Sequence, residues 1–312
     1  MKIAIAGSGA LGCGFGHLLK KNGQEVTLLD NWDDHIEAIR LNGLKVTVNG
    51  TEETQRMAIY KPHEVKEEMD VIFVFTKAMG LKSMMESIAH IIGDQTKVIC
   101  LLNGLGHLRT LEAYVDKKNI IMGTTVWTAG IDAPGVTHLN GQGPVELQNS
   151  DPEETAAALK IVEILKNSGL NGVYSSNVNY TTWRKACVNG TMNALCALLD
   201  TTIEKVFASS TIDSMLTGIV SEFATLAEVQ DNIKLDVEET ITYLKNLADK
   251  VGAHYPSMHQ DLANMRPTEI DFLNGAVAEA SKRFGLQAPY CQKVTDLIHA
   301  KEEILGIESP IK

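Results

Sequence analysis

Lys185, Asn189 and Asn193 recur every four residues in a run from Trp183 to Leu199 that is otherwise mostly small or apolar. On a helix each four-residue step turns a side chain by only about 40°, so the three stack along one face. One face of a buried helix thus carries an ammonium and two amides, which need polar partners if they leave water. Three readings fit: a solvated face with Lys185 reaching water, a hydrogen-bond network at a domain seam, or the wall of an active-site cleft. In the last, the amine gives a proton to a carbonyl oxygen as hydride reaches the carbon. That task requires its pKa to fall from about 10.4 toward about 7–8, which desolvation can produce. Further on, Pro267 predicts a helix start with Glu269 in the first turn, where the helix dipole favours a carboxylate; taken alone, plain N-terminal capping is the better account of it. Ser257 alone indicates nothing, and no Ser-His-Asp arrangement competes.

A second chemical signal is the stretch Gly7-Ser8-Gly9-Ala10-Leu11-Gly12. It follows the apolar run Ile3–Ala6 and opens a segment, Leu11 to Lys21, with helical spacing in Leu11, Phe15, Leu18 and Leu19. A strand-like run, Glu25 to Leu29, then ends on Asp30. Gly7 permits a tight turn, Gly9 lets a pyrophosphate approach the backbone, and Gly12 lets the helix lie close to the strand. The helix N-terminus offers N–H groups and partial positive charge to phosphates. A carboxylate at Asp30 suits ribose hydroxyls and repels a 2′-phosphate, and no base follows among Asn31, Trp32, Asp33 and Asp34. The stretch therefore predicts a dinucleotide site that favours NADH over NADPH. A phosphate loop of another kind, or an Asp30 that only caps a turn, are the plainer readings.

These groups need a scaffold. Val71–Phe75 and Lys97–Leu102 read as buried strands ending at Thr76-Lys77 and Asn103-Gly104, with an amphipathic helix, Leu81–Ile92, between them. Lys45–Val48 and Met57–Tyr60 read as short strands of an insertion. Ile120–Val126 and Gly135–Gln148 look extended and irregular, with Gly141, Gly143 and Pro144 implying a hairpin. Glu153–Lys166 reads as a helix capped by Asp151-Pro152. Beyond about Val178 almost everything to Leu305 reads as helix. The expected architecture is α/β: a Rossmann-type dinucleotide-binding domain over residues 1–176 and an all-helical substrate and catalytic domain over 177–312. Ligands of open α/β sheets bind beyond the carboxyl ends of strands, which points to Thr76-Lys77 and Asn103-Gly104 as well as the glycine loop.

The 312 residues suit two domains, with 44% hydrophobic and 21% charged residues. Twenty-eight Lys and Arg against 39 Asp and Glu leave a net charge of −11, which argues against nucleic acid and anionic lipid as partners. An anionic substrate then needs local donors to overcome the global field. No apolar run approaches a membrane span, and the glycine motif explains the N-terminus better than a secretion signal does, so a cytoplasmic location is expected. Cys13, Cys100, Cys187, Cys196 and Cys291 are odd in number and lack a C-x-x-C pair, as expected of buried free thiols. The nine histidines lack zinc-like spacing, so no metal is expected.

Together the motifs resemble the ketopantoate reductase family over nearly the whole chain. The likeness rests on Gly-Ser-Gly-Ala-Leu-Gly, Thr76-Lys77-Ala78, Asn103-Gly104-Leu105-Gly106, and Trp183-Arg184-Lys185 with Asn189 and Asn193. It rests further on Ser257-Met258 followed by Arg266, Thr268-Glu269-Ile270-Asp271 and Asn274-Gly275. The resemblance implies reduction of a 2-oxo acid to a D-(R)-2-hydroxy acid in a cleft between the domains. It implies Lys185 as general acid with Glu269 completing the catalytic pair. Asn189, Asn193 and Ser257 would contact substrate, with Asn103 and Lys77 near both substrate and cofactor. Gly7, Ser8, Gly9, Ala10, Leu11, Gly12 and Asp30 would bind the cofactor, and a homodimer is expected. Biosynthetic members usually take NADPH, with a basic residue after the second strand. The acidic stretch after Leu29 departs from this and is similar to the NAD-dependent D-2-hydroxyacid dehydrogenase branch that includes D-mandelate dehydrogenase. That branch is the favoured expectation; an NADPH-dependent 2-dehydropantoate 2-reductase and a non-catalytic NAD(H) sensor are the alternatives.

Overall fold

The computed structural model describes residues 1–308. The chain divides into two compact units, residues 1–102 with 107–178, and residues 103–106 with 179–312.

The first unit is built on twelve strands in two sheets. In chain order its elements are β1 (Lys2–Ala6), α1 (Ala10–Lys21), β2 (Glu25–Leu29), α2 (Asp33–Asn42), β3 (Leu44–Val48), β4 (Thr51–Gln55), β5 (Ala58–Tyr60) and β6 (Val71–Val74). There follow α3 (Leu81–Ile88), β7 (Lys97–Cys100), α4 (His107–Leu111), β8 (Ile120–Thr125), β9 (Thr128–Ala133), β10 (Val136–Asn140), β11 (Val145–Asn149), α5 (Thr155–Asn167) and β12 (Gly172–Tyr174). The large sheet runs β12-β11-β8-β7-β6-β1-β2-β5, parallel throughout except where β8 meets β11. Residues of β1 alternate between two cores: Ile3 and Ile5 pack on one face, Ala4 and Ala6 on the other. A strand buried on both faces must be apolar throughout, which is why "VIFV" of β6 shows no polar position. Each large side chain so buried contributes about 1.5–3 kcal/mol.

The chain changes strand order at β1, whose neighbours are β2 on one side and β6 on the other. Two crossovers leave in opposite directions there, opening a crevice at the carboxyl ends of β1 and β6. Helix α1 lies close over this region because its glycines replace side chains. A Cβ on Gly12 would strike the Gly7 carbonyl, one on Gly16 would come within 2.7 Å of Leu28, and one on Gly14 within 2.9 Å of Leu139. Gly14 and Gly16 thus serve helix packing rather than phosphate binding.

The small sheet, β4-β3-β10-β9, differs from expectation. Gly141–Pro144 forms no hairpin: β10 pairs with β3 and β9, whereas β11 pairs with β8 and β12 of the large sheet. The glycines instead let the chain change sheets, with the Asn49 amide donating to the Gly141 carbonyl and accepting its N–H, both at 2.9 Å. The Met57–Tyr60 run, shortened to β5, is the parallel edge of the large sheet and not part of an insertion. The α5 helix starts at Thr155, two residues later than predicted, because Asp151 spends its carboxylate on the Glu153 N–H within a preceding turn.

The second unit is helical: α6 (Val178–Leu199), α7 (Ile203–Phe207), α8 (Asp213–Asp231), α9 (Val237–Val251), α10 (Ser257–Ala263), α11 (Asn274–Arg283) and α12 (Pro289–Leu305). They share one core in which Trp183, Phe223, Leu216, Val277 and Ile298 are buried. All five cysteines are free and buried. No helix among the described residues is long and apolar enough to cross a membrane.

Candidate active site

In the first unit the glycine loop is built against the end of β2. The Leu29 carbonyl accepts the N–H of Gly7 at 3.0 Å, the N–H of Ser8 at 3.1 Å and the Ser8 hydroxyl at 3.1 Å. This fixes the loop beside Asp30, the next residue. Gly7 sits at φ +96°, and a Cβ there would lie 2.6 Å from the Thr76 nitrogen, so the loop also abuts Thr76-Lys77 after β6. Only glycine meets both demands. Gly9 is different: a Cβ there would meet nothing within 4 Å, so its backbone faces open space. Ala10 and Leu11 follow in the first turn of α1, whose leading N–H groups lack intrahelical partners. A bare backbone at Gly9, a helix N-terminus and an acid at the end of β2 fit a dinucleotide pyrophosphate and its ribose.

Asp30 also performs the turn function. Its Oδ1 accepts the N–H of Asn31 at 2.8 Å and of Trp32 at 3.0 Å, shaping the entry to α2. Both tasks are compatible, since a carboxylate has further acceptor capacity. Lys77 is exposed and precedes a 3-10 turn, Ala78–Gly80.

In the second unit, α6 carries the polar stripe, and its neighbours set the helix orientation. Trp183 is buried and its indole donates to Asp231 on α8 at 2.6 Å. The Arg184 guanidinium stacks 4.1 Å over the Tyr243 ring on α9. With these two anchored, Lys185 lies on another face, half-buried. Burial pushes the Lys185 amine down to about 8, and the nearby Glu269 carboxylate acts in the opposite sense. An amine poised there exchanges protons readily near neutral pH. On the same helix Asn193 is buried and donates to the Ser257 hydroxyl, 3.3 Å away at the start of α10. Asn189 lies between Lys185 and Asn193.

Glu269 is not in the first turn of a helix begun by Pro267. It precedes a 3-10 turn, Ile270–Phe272, and α11 begins only at Asn274. The Asn103–Gly106 segment packs on that turn: the Leu105 N–H donates to the Phe272 carbonyl at 2.8 Å. At φ +98°, Gly104 brings its α-carbon so close that a Cβ would lie 2.6 Å from the same oxygen. The segment that bears Asn103 is therefore tied by a backbone contact to the turn that follows Glu269, a link absent from any sequence motif. The second unit thus gathers Lys185, Glu269, Asn103, Asn193 and Ser257 on three adjoining pieces of chain.

Sequence reasoning missed the groups that hold the Glu269 turn. Glu302 on α12 is 3% exposed and accepts the Thr268 N–H at 2.7 Å. Its signal was available: Cys291, Val294, Thr295, Ile298 and Glu302 form the buried stripe of α12, so a charge falls on an apolar face. Among the described residues no group of three or more His, Cys, Asp or Glu could hold a metal ion.

Comparison with known proteins places these features in a lineage. Residues 3–152 match the family model "Ketopantoate reductase PanE/ApbA", and residues 177–302 match "Ketopantoate reductase PanE/ApbA C terminal". A 2-dehydropantoate 2-reductase of Streptococcus pyogenes serotype M3 is 48% identical over 309 residues, covering 99% of this chain and all of the relative. Another from Lactococcus lactis subsp. lactis is 47% identical over 310 residues, covering 98% and 99%. The solved ternary structure of a D-mandelate dehydrogenase with NADH and anilino(oxo)acetate is 45% identical, with a TM-score of 0.93 over 98% of this chain and 100% of that one.

Proposed function

The chain belongs to the ketopantoate reductase family, and from that premise we propose that it reduces 2-dehydropantoate (ketopantoate) to D-pantoate with a nicotinamide dinucleotide. It is an NAD(P)-dependent oxidoreductase of the CH–OH group of 2-hydroxy acids. The observation that carries the reading is the half-buried Lys185, its amine lowered to about 8, beside the Glu269 carboxylate. The first unit binds the dinucleotide through Gly7 to Gly12 and Asp30, and the second supplies the catalytic side chains.

When bound, the dinucleotide supplies hydride to the carbonyl carbon. Lys185, entering as an ammonium, gives its proton to the carbonyl oxygen, so C=O becomes CH–OH and the amine is left neutral until water reprotonates it. Glu269 keeps the ammonium accessible by opposing the desolvation that would discharge it. Asn189, Asn193 and Ser257 donate to the substrate carboxylate or hydroxyl, supplying locally what a net charge of −11 withholds globally. Asn103 and Lys77 orient the reacting carbonyl and the cofactor ring. Buried free thiols suit a reducing cytoplasm, and a homodimer completes the reading.

The curated relatives support ketopantoate as substrate, reversing the order of preference reached from the sequence. The second reading, an NAD-dependent D-2-hydroxyacid dehydrogenase of the mandelate type, is favoured by Asp30 and the acidic residues after it, and by the 45% identical structure solved with NADH. The same acid supports NADH as preferred cofactor under either reading. The deciding experiment compares kcat/KM for ketopantoate, 2-oxoisovalerate and benzoylformate, each with NADH and NADPH. Ketopantoate should lead; a lead of tenfold or more for benzoylformate would transfer the protein to the second reading. A preference for NADPH would refute the assignment to Asp30.

A further inference from the structure

Glu302 occupies a costly position. It lies in the last turns of α12, where the helix dipole disfavours a carboxylate, and on the buried stripe, where desolvation adds to the cost. What it gains is the Thr268 N–H at 2.7 Å, 34 residues away in sequence and one residue before Glu269. Thr268 is itself buried. The loop that leads into it is anchored once more, where the Arg266 N–H donates to the Asp261 carbonyl at 2.8 Å and the Arg266 Nε meets the buried Asp261 carboxylate at 3.2 Å. Two neighbours of Glu302 on α12 reach the same region: Lys301 donates to the Ala197 carbonyl near the end of α6 at 2.6 Å, and His299 lies 3.1 Å from Asp271. One helix end therefore braces α6, which bears Lys185, and the turn that bears Glu269.

Resting on the assignment of Lys185 and Glu269 above, we propose that Glu302 is a positioning residue, whose grip on the Thr268 N–H holds the Glu269 carboxylate in place beside Lys185. A buried charge-assisted bond of this kind orders a short loop without touching substrate. Removing the acceptor lets the turn relax, withdraws Glu269, and leaves burial to act on Lys185 unopposed.

The test uses the full-length protein with Glu302→Met, which keeps side-chain volume, and Glu302→Gln, which keeps an acceptor oxygen. Lysine-selective 13C NMR follows the Lys185 titration while steady-state assays give kcat and KM. Glu302→Met should move the Lys185 titration to lower pH and reduce kcat about 10–10²-fold with KM for NADH unchanged. Glu302→Gln should restore both to near the parent. If Glu302→Met does not fold, Glu302→Asp, whose carboxylate is withdrawn by one methylene, should show the same displacement to a smaller degree. A folded Glu302→Met, or failing that Glu302→Asp, with the parent's Lys185 titration overturns the proposal whatever its turnover. Lys185→Ala assayed alongside separates the two claims: full activity there refutes the acid assignment, while the titration still decides whether Glu302 positions Glu269.

Discussion

At the residue scale, the chemistry depends on one amine whose environment contradicts its usual state. Lys185 ordinarily titrates near 10.5, and burial lowers it to about 8. For reduction the acid form must be present, so kcat should be constant at neutral pH and fall as pH rises through about 8. Oxidation of the D-2-hydroxy acid needs the neutral amine and should rise through the same pH. Parallel pH profiles in the two directions would refute the assignment. The same environment predicts a trade between activity and stability. Because the folded pKa lies below the unfolded one, the native state holds a charge at pH 7 that it would hold more easily unfolded. Lys185→Met should therefore lower kcat by about 10²–10⁴-fold, yet raise Tm by about 2–4 °C, the size of about 1 kcal/mol in such a domain. The Lys185 stripe was legible because three polar residues at helical spacing stand out in an apolar run. The setting of Glu269 was not, because Pro267 marks a helix start in sequence, and only the tertiary bond from Thr268 to Glu302 shows why the chain enters a 3-10 turn first.

At the element scale, the strand, glycine loop and helix from Lys2 to Lys21 show that glycines of one motif have different physical duties. Gly12→Ala places a Cβ against the Gly7 carbonyl and 3.0 Å from Ile5, both parts of a packed core that cannot yield. It should destabilise the protein by about 1–3 kcal/mol, the cost of overpacking, in chemical denaturation. Gly9→Ala meets nothing within 4 Å and should leave Tm unchanged. Its methyl group projects into the space a pyrophosphate would fill, so the dissociation constant for NADH should rise at least about tenfold, the equivalent of about 1.4 kcal/mol. Unchanged NADH affinity in Gly9→Ala would remove the phosphates from this loop. The main strands were legible because burial on both faces demands uninterrupted apolar runs. The small sheet was not: Thr51–Gln55 has little apolar character, and Gly141–Pro144 carries the same residues whether a chain turns back or changes sheets. Pairing partners far apart in sequence made that choice.

At the scale of the whole molecule, acid should act on the first unit through two buried imidazoles. His35 in the first unit is fully buried and accepts the Gly135 N–H at Nδ1, with Nε2 3.4 Å from the Cys13 sulfur. Adding a proton at Nδ1 would break that bond inside a core. His17 is buried against the small sheet, its Nε2 3.4 Å from Glu53 and with Lys21 also bearing on it. Burial lowers both imidazoles below their ordinary 6.5 and outweighs the carboxylates, Glu53 for His17 and Asp30 for His35, that act to raise them. Below about pH 6.5 the unfolded chain therefore binds protons that the folded first unit refuses, and stability is lost as pH falls toward the folded values. The histidines of the second unit, His254, His259 and His299, all retain exposure. Partial neutralisation of a net charge of −11 works in the other direction, relieving repulsion across the entire chain. The local cost at His17 and His35 should win, giving a Tm lower by about 2–4 °C at pH 5.5 than at pH 7.5. Hydrogen exchange should show protection lost first around α1, α2 and the small sheet. A Tm that holds or rises over this range, or protection lost first from the helical unit, would mean that charge relief dominates and that these two rings do not govern acid stability.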